Sequence, residues 1–275
     1  MNQKEKALYF QSLHQQQAPL ILPNAWHAGS AVIFQKAGFQ AIGTTSAGMA
    51  YTLGYPDGEK IQLEDILSLT EQIQKRISLP LSVDMEMGYG KCPESIAQNI
   101  KKVIEAGAVG INIEDGLPSG QLADLEFQTA VIERLSALKK EMGIPFVINA
   151  RSCVLWLKIG ETEENINIAT QRAKAFQKAG ADCIFLPGAT DYDTVKKLKD
   201  QIDAPLNIIL NRLSPDLRKL QNLGVNRVSI GSAGVRSVLQ NILSFSEEIL
   251  NNKTEDILAN PLDYHATNKL FSIEE

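Results

Sequence analysis

Two hydrophobic rhythms alternate along the chain. Short apolar runs, such as Leu20-Ile21-Leu22 and Phe146-Val147-Ile148, are followed by longer stretches in which apolar residues recur every three or four positions. The first rhythm suits buried parallel strands and the second amphipathic helices. A leading helix is predicted over 3–16, with Leu8 and Leu13 among polar neighbours. Strands are predicted at 20–23, 41–46, 80–86, 109–113, 145–150, 182–186, 206–210 and 227–230. Helices are predicted at 28–38, 63–78, 94–106, 125–142, 162–179, 191–202, 215–223 and 234–250. Helix–glycine–strand joints recur at Lys36-Ala37-Gly38, Glu105-Ala106-Gly107, Lys178-Ala179-Gly180 and Asn222-Leu223-Gly224, where glycine ends the helix. Strands that alternate with helices pair in parallel, and eight such units imply an α/β (β/α)8 TIM barrel. No linker-like shift of composition interrupts the series, so one domain is expected over 1–275. Residues 254–275 form a polar C-terminal extension with Ile257, Leu258, Leu262, Tyr264, Leu270 and Phe271. It is expected to be a terminal helix packing on the barrel or on a neighbouring subunit.

Composition narrows the class. With 44% hydrophobic residues in 275 the chain can bury a large core, and a net charge of -5 without a basic run argues against nucleic acid as a partner. Three cysteines, Cys92, Cys153 and Cys183, are too few and odd in number for a disulfide scaffold, which suits a reducing compartment. No segment approaches the ~20 apolar residues of a bilayer span, and the N-terminus leads into no apolar signal region. A soluble cytoplasmic protein is expected.

The polar residues fall where barrel chemistry sits, at the carboxyl ends of the strands. The second strand ends in Thr44-Thr45-Ser46-Ala47-Gly48, the third in Asp84 and Glu86, and the fourth in Asn112, Glu114 and Asp115. The fifth ends in Asn149 and Arg151, and the seventh in Asn211. Asp84 and Glu86, two residues apart on a strand end, would turn both carboxylates to one side. A divalent cation relieves that repulsion, and all-oxygen ligands suit Mg²⁺. Arg151 can hold an anionic substrate through a two-pronged hydrogen bond. Ser46, Ala47 and Gly48 can offer N–H groups or a hydroxyl to an oxyanion, and Asn211 can hydrogen-bond a substrate or serve as a turn residue.

Assembled, these motifs resemble the isocitrate lyase / phosphoenolpyruvate mutase superfamily from about Leu22 to Gly231. Gly43-Thr44-Thr45-Ser46-Ala47-Gly48 is similar to its strand-two loop, and Leu53-Gly54-Tyr55-Pro56-Asp57 to its Gly-x-Pro-Asp segment. Asp84-Met85-Glu86-Met87-Gly88-Tyr89-Gly90 matches the strand-three signature, Ile113-Glu114-Asp115 the strand-four acidic pair, and Asn149-Ala150-Arg151 the strand-five arginine. The resemblance implies Mg²⁺, or Mn²⁺, held partly through water by Asp57, Asp84, Glu86 and Glu114 and chelated by a 2-oxo acid. It implies that Arg151 binds a carboxylate or phosphonate, that the 46–48 loop takes the keto-acid carboxylate, and that the chain is a homo-oligomer, a dimer or a tetramer with an exchanged C-terminal helix.

Departures from the pattern shape the expected reaction. The family's lyases carry a Lys-[Lys/Arg]-Cys-Gly-His loop after strand four, whose Cys moves a proton. Here that loop reads Gly116-Leu117-Pro118-Ser119-Gly120-Gln121-Leu122-Ala123-Asp124, with neither Cys nor His. Cys153 stands two residues past Arg151, where Asp is usual, and His27 stands where Asp is common after strand one. Cys153, Cys92 and Cys183 are read as packing residues, Tyr89 as shaping its loop, and Asp115 as a partner behind the site. His27 and Tyr51 are candidates for direct roles beside Ser46 and Arg151. The expected activity is a Mg²⁺-dependent carbon–carbon lyase acting on a 2-oxo acid, with oxaloacetate-type decarboxylation ahead of aldol cleavage. Alternatives are methylisocitrate- or isocitrate-lyase-like retro-aldol cleavage through His27 or Tyr51, phosphonopyruvate-type P–C chemistry, or a non-catalytic oxo-acid-binding protein.

Overall fold

The computed structural model describes residues 1–189, 191–253, 255 and 261–272. Its strands, all parallel, are β1 (Leu20–Leu22), β2 (Asn24–Ala25), β3 (Ile42–Thr44), β4 (Leu81–Asp84), β5 (Gly110–Glu114), β6 (Val147–Arg151), β7 (Cys183–Phe185), β8 (Leu206–Ile209) and β9 (Arg227–Ser229). The order β1-β9-β8-β7-β6-β5-β4-β3-β2 closes, because β1 and β2 are two halves of one strand interrupted at Pro23. The first half pairs with β9 and the second with β3. Proline has no N–H for the ladder, so the strand changes partner there. The result is the expected eight-stranded (β/α)8 barrel.

Helices α1 (Gln3–Leu13), α2 (Ala28–Lys36), α3 (Ser46–Thr52), α4 (Leu63–Gln74), α5 (Pro93–Glu105), α6 (Leu125–Met142), α7 (Val154–Leu157), α8 (Thr162–Ala179), α9 (Tyr192–Lys199), α10 (Leu217–Asn222) and α11 (Ala233–Leu250) accompany the strands. Ala7, Phe10 and Leu13 of α1 pack with Leu20, Leu22, Val109 and Val147, plugging the amino-terminal end of the barrel. The remaining core forms between the barrel wall and the helix ring, from residues such as Ile66, Ile100, Ile132, Ile148 and Phe176. Among the described residues no helix is long and apolar enough to cross a membrane.

Two expectations change, and one of the two placements expected for the terminal helix is seen. The segment after the second strand is not a loop: Ser46–Thr52 coils into α3, with Ser46 to Ala50 all buried. The third strand stops at Asp84, and Glu86 lies beyond it with a left-handed φ of 47°. Strand alternation therefore does not aim its carboxylate; a turn does. The terminal helix, Tyr264–Phe271, packs on α2 of its own chain, and Arg76 Nη2 donates to the Phe271 carbonyl at 2.6 Å. Ile257 and Leu258 lie outside the described residues.

Candidate active site

The carboxyl ends of the strands surround one cleft of two adjoining lobes, about 200 and 100 Å³ in volume. Ser46, Asp57, Arg151 and Trp156 line both lobes. Glu86, Glu114 and Cys153 border the larger lobe, and Ala47, Asp84 and Asn112 the smaller. Volumes of this size suit a small acid.

Asp84 ends β4. Its backbone N–H donates to Thr44 Oγ1 at 2.9 Å, and its Oδ2 accepts from the Ser46 N–H, at the start of α3, at 3.2 Å. Its Oδ1 is buried and has no partner among the described residues. Glu86 is held by the turn that follows. Glu86 Oε2 accepts the Glu59 N–H at 2.8 Å and Oε1 accepts the Tyr89 hydroxyl at 2.9 Å. Glu59 Oε1 in turn accepts the Met87 and Tyr89 N–H groups, both at 3.1 Å. Gly88 serves this turn twice: its φ is 95°, and a Cβ there would stand 2.6 Å from the Ile96 side chain. Tyr89 thus shapes the loop, as its place in the motif implies.

Glu114 and Arg151 are register partners across β5 and β6, and Arg151 Nη1 meets Glu114 Oε2 at 2.6 Å. The Arg151 guanidinium lies 5.6 Å from the Phe185 ring, and its Nε is buried without a partner. Burial and the Asp84 charge push the Glu86 carboxyl up to about 8. Burial lifts Glu114 to about 7, with Arg151 opposing and Asp84 adding to the rise. Asp57 is raised by burial and by Asp84. Several carboxyls therefore share one cleft at a cost that a cation would remove.

The donor set suits a hard divalent cation on one specific ground: the buried, unpartnered Oδ1 of Asp84 at a cleft whose other acids are raised by burial, with the Asp84 charge adding to the rise. Among the described residues no three His, Cys, Asp or Glu side chains stand close enough to enclose an ion.

The other expected residues are placed as follows. Ala47 lines the cleft but Gly48 does not; a Cβ on Gly48 would meet Thr45 and Trp26 side chains at 2.7 Å, so its small size serves packing. His27 caps α2, its Nδ1 accepting the Ser30 N–H at 3.0 Å, and burial lowers its pKa. Neither His27 nor Tyr51 lines the cleft. Asn211 is exposed and accepts the Leu213 N–H at 2.8 Å, as a turn residue does. Cys153 does border the cleft, but burial pushes its thiol up to about 12. Asp115 is fully buried behind the site, where it accepts from Ser152 Oγ at 2.8 Å, the Cys153 N–H at 2.7 Å and Arg172 Nε at 2.7 Å. It fixes the segment that follows Arg151.

Sequence reasoning missed Glu59, Trp156 and Phe185 as parts of the site. Glu59 and Glu86 are 27 positions apart, with no local pattern to link them.

Comparison with known proteins identifies the family. The family model for phosphoenolpyruvate phosphomutase matches residues 10–250. A Mycobacterium tuberculosis protein of uncharacterized function is 36% identical over 223 residues, covering 81% of each chain. Escherichia coli 2-methylisocitrate lyase is 31% identical over 195 residues, 68% of this chain and 64% of the lyase. The crystal structure of a provisionally assigned lyase/mutase from Burkholderia cenocepacia superposes with a TM-score of 0.91 at 30% identity, covering 98% of this chain and 97% of the other. The chain belongs to the phosphoenolpyruvate phosphomutase family, within the isocitrate lyase / phosphoenolpyruvate mutase superfamily of enzymes.

Proposed function

We propose that the protein is a carbon–carbon lyase acting on a small 2-oxo acid, dependent on Mg²⁺ or Mn²⁺, with decarboxylation of an oxaloacetate-type substrate as its reaction. One observation carries this reading: Arg151 and the carboxylates of Asp84, Glu86, Glu114 and Asp57 border a single small cleft, with Asp84 Oδ1 buried and unpaired. The names of relatives such as the E. coli lyase supply the bond class.

Asp84 would hold the ion directly and Glu86, Glu114 and Asp57 would hold its water shell. When bound, the ion neutralises these acids and stabilises the negative charge that develops as the bond breaks. Arg151 keeps its unpaired Nε and the donors not engaged by Glu114 for a substrate carboxylate. Ser46, at the N-terminus of α3, and Ala47 secure the other end of the acid. Loss of the carboxylate as CO₂ leaves an enolate, which takes a proton from water to give the shorter 2-oxo acid.

This chemistry asks no protein acid of the loop after β5. That loop is pinned by a Gly116–Leu122 bridge and presents Gly116, Leu117 and Pro118 to the cleft, none of them titratable. Retro-aldol cleavage needs such an acid, and the positions of His27 and Tyr51 do not favour them as substitutes. The test is a panel of oxaloacetate, methylisocitrate, isocitrate and phosphonopyruvate with Mg²⁺. Pyruvate and CO₂ from oxaloacetate alone support the reading. Succinate and a 2-oxo acid from either tricarboxylate replace it with retro-aldol cleavage, and tight binding without turnover replaces it with a sensor.

We also read the protein as a homo-oligomer. Leu239, Ile242, Leu243 and Phe245 of α11 are exposed apolar side chains, a face that a second copy would cover. Light scattering in solution tests this, and a monomer mass overturns it.

A further inference from the structure

The barrel interior contains a fully buried cation that forms no ion pair with a carboxylate among the described residues. Arg227 of β9 is 1% exposed, its Nε and Nη1 have no partners, and its Nη2 donates to Asn112 Oδ1 at 3.2 Å. Burying a guanidinium without a carboxylate in contact is costly, so its one hydrogen bond calls for an explanation. Asn112 Oδ1 also accepts from Asn149 Nδ2 at 2.7 Å. Oxygen and nitrogen of an amide are otherwise hard to tell apart, but a guanidinium can only donate. Arg227 therefore forces the Asn112 oxygen inward, and Asn149 must offer its nitrogen. The Asn112 amide nitrogen is left on the other side, with no side-chain hydrogen bond to any described residue. Asn112 is 6% exposed, and it lines the smaller lobe with Asp84, Ser46 and Arg151.

We propose that Asn112 is a substrate-binding residue, whose amide N–H donates to a carboxylate oxygen of the bound acid, and that Arg227 is the positioning residue that sets this amide's orientation. The inference rests on the 2-oxo-acid reading above and adds a residue to that site. A polar interior layer of Asn112, Asn149, Asn207 and Arg227 then has a reason to replace the branched apolar residues that usually fill a barrel. Burial lowers the Arg227 pKa to about 10, which leaves it charged at neutral pH.

Oxalate, a stable dianion resembling the pyruvate enolate, is the probe. Its affinity is measured by calorimetry in saturating Mg²⁺ for the wild type, Asn112→Ala, Arg227→Met, Arg227→Lys and the Asn112→Ala/Arg227→Met double variant. Thermal melts accompany each. The expected result is about a tenfold loss of affinity in Asn112→Ala with the fold retained. Arg227→Met should lose affinity too, Arg227→Lys should recover part of it, and the double variant should bind no more weakly than Asn112→Ala alone. A structural or long-range charge role for Arg227 would make the two losses add. Asn112→Ala binding oxalate within about twofold of wild type overturns the assignment, as do additive losses the part given to Arg227. Absence of oxalate binding by the wild type overturns instead the 2-oxo-acid reading, and this inference with it.

Discussion

Arg151 Nη1 stands 2.6 Å from Glu114 Oε2, and the two residues are direct partners across neighbouring parallel strands. The pair fixes the guanidinium plane at the cleft while leaving Nε unpaired among the described residues. Lysine keeps the charge and loses the planar fork. Arg151→Lys should lower kcat/KM for the preferred 2-oxo acid at least tenfold, about 1.4 kcal/mol of barrier. Steady-state kinetics on the folded variant checks this, and unchanged kinetics would remove Arg151 from the site.

The acids at the cleft predict a specific pH dependence. Glu86 and Glu114 have pKa values raised to about 8 and about 7, so in the metal-free folded state they bind protons that the unfolded chain releases near its ordinary carboxylate range. Between about pH 4.5 and 8 the folded state holds more protons, so metal-free stability should fall as pH rises through that window. Protons and Mg²⁺ compete, so stabilisation by Mg²⁺ should grow over the same window. Glu86→Gln should flatten both trends. Melting temperature against pH, with and without Mg²⁺, reports the sign.

Asp115 anchors Ser152, Cys153 and Arg172 from a position with no solvent exposure. Removing one side of a buried ion pair strands the other, at about 3–5 kcal/mol. Asp115→Ala should lose stability of that order in urea denaturation and lower activity by displacing the segment after Arg151. A loss below about 1 kcal/mol would mean that the pair is hydrated or redundant.

The cysteines should separate by reactivity. Cys92 is exposed and its pKa is lowered by the Ser95 hydrogen bond, whereas burial raises Cys153 and Cys183 to about 12. Iodoacetamide at pH 7.5 should label Cys92 alone in the folded protein, by mass spectrometry, and all three in urea. Rapid labelling of Cys153 would point to an opened site and a reactive thiol.

Much of this molecule was legible from residue types and periods. The long helices Leu125–Met142 and Thr162–Ala179 match their predicted bounds, because amphipathic faces end at Gly143 and Gly180 in left-handed caps. The carboxylate and arginine positions at the strand ends were visible for the same reason: polar residues interrupt otherwise apolar runs. Helix α3 was missed because Ser46 to Ala50 are all buried, which erases the amphipathic period, and Gly48 reads as a breaker. The turn that aims Glu86 was misjudged because its left-handed backbone depends on Glu59, far away in sequence. His27 looked available for chemistry, since a histidine capping a helix through Nδ1 leaves no signature like that of Ser, Thr or Asp.

The most direct test of the central claim is pyruvate formation from oxaloacetate in saturating Mg²⁺, compared among wild type, Asp84→Ala and Mg²⁺ alone. Asp84 carries the buried unpaired oxygen on which the site is built. Wild type should exceed the Mg²⁺ background by orders of magnitude. Asp84→Ala should fall to that background, and EDTA should abolish the wild-type excess. Wild-type protein that releases pyruvate no faster than Mg²⁺ alone, or Asp84→Ala that matches wild type, would contradict the account.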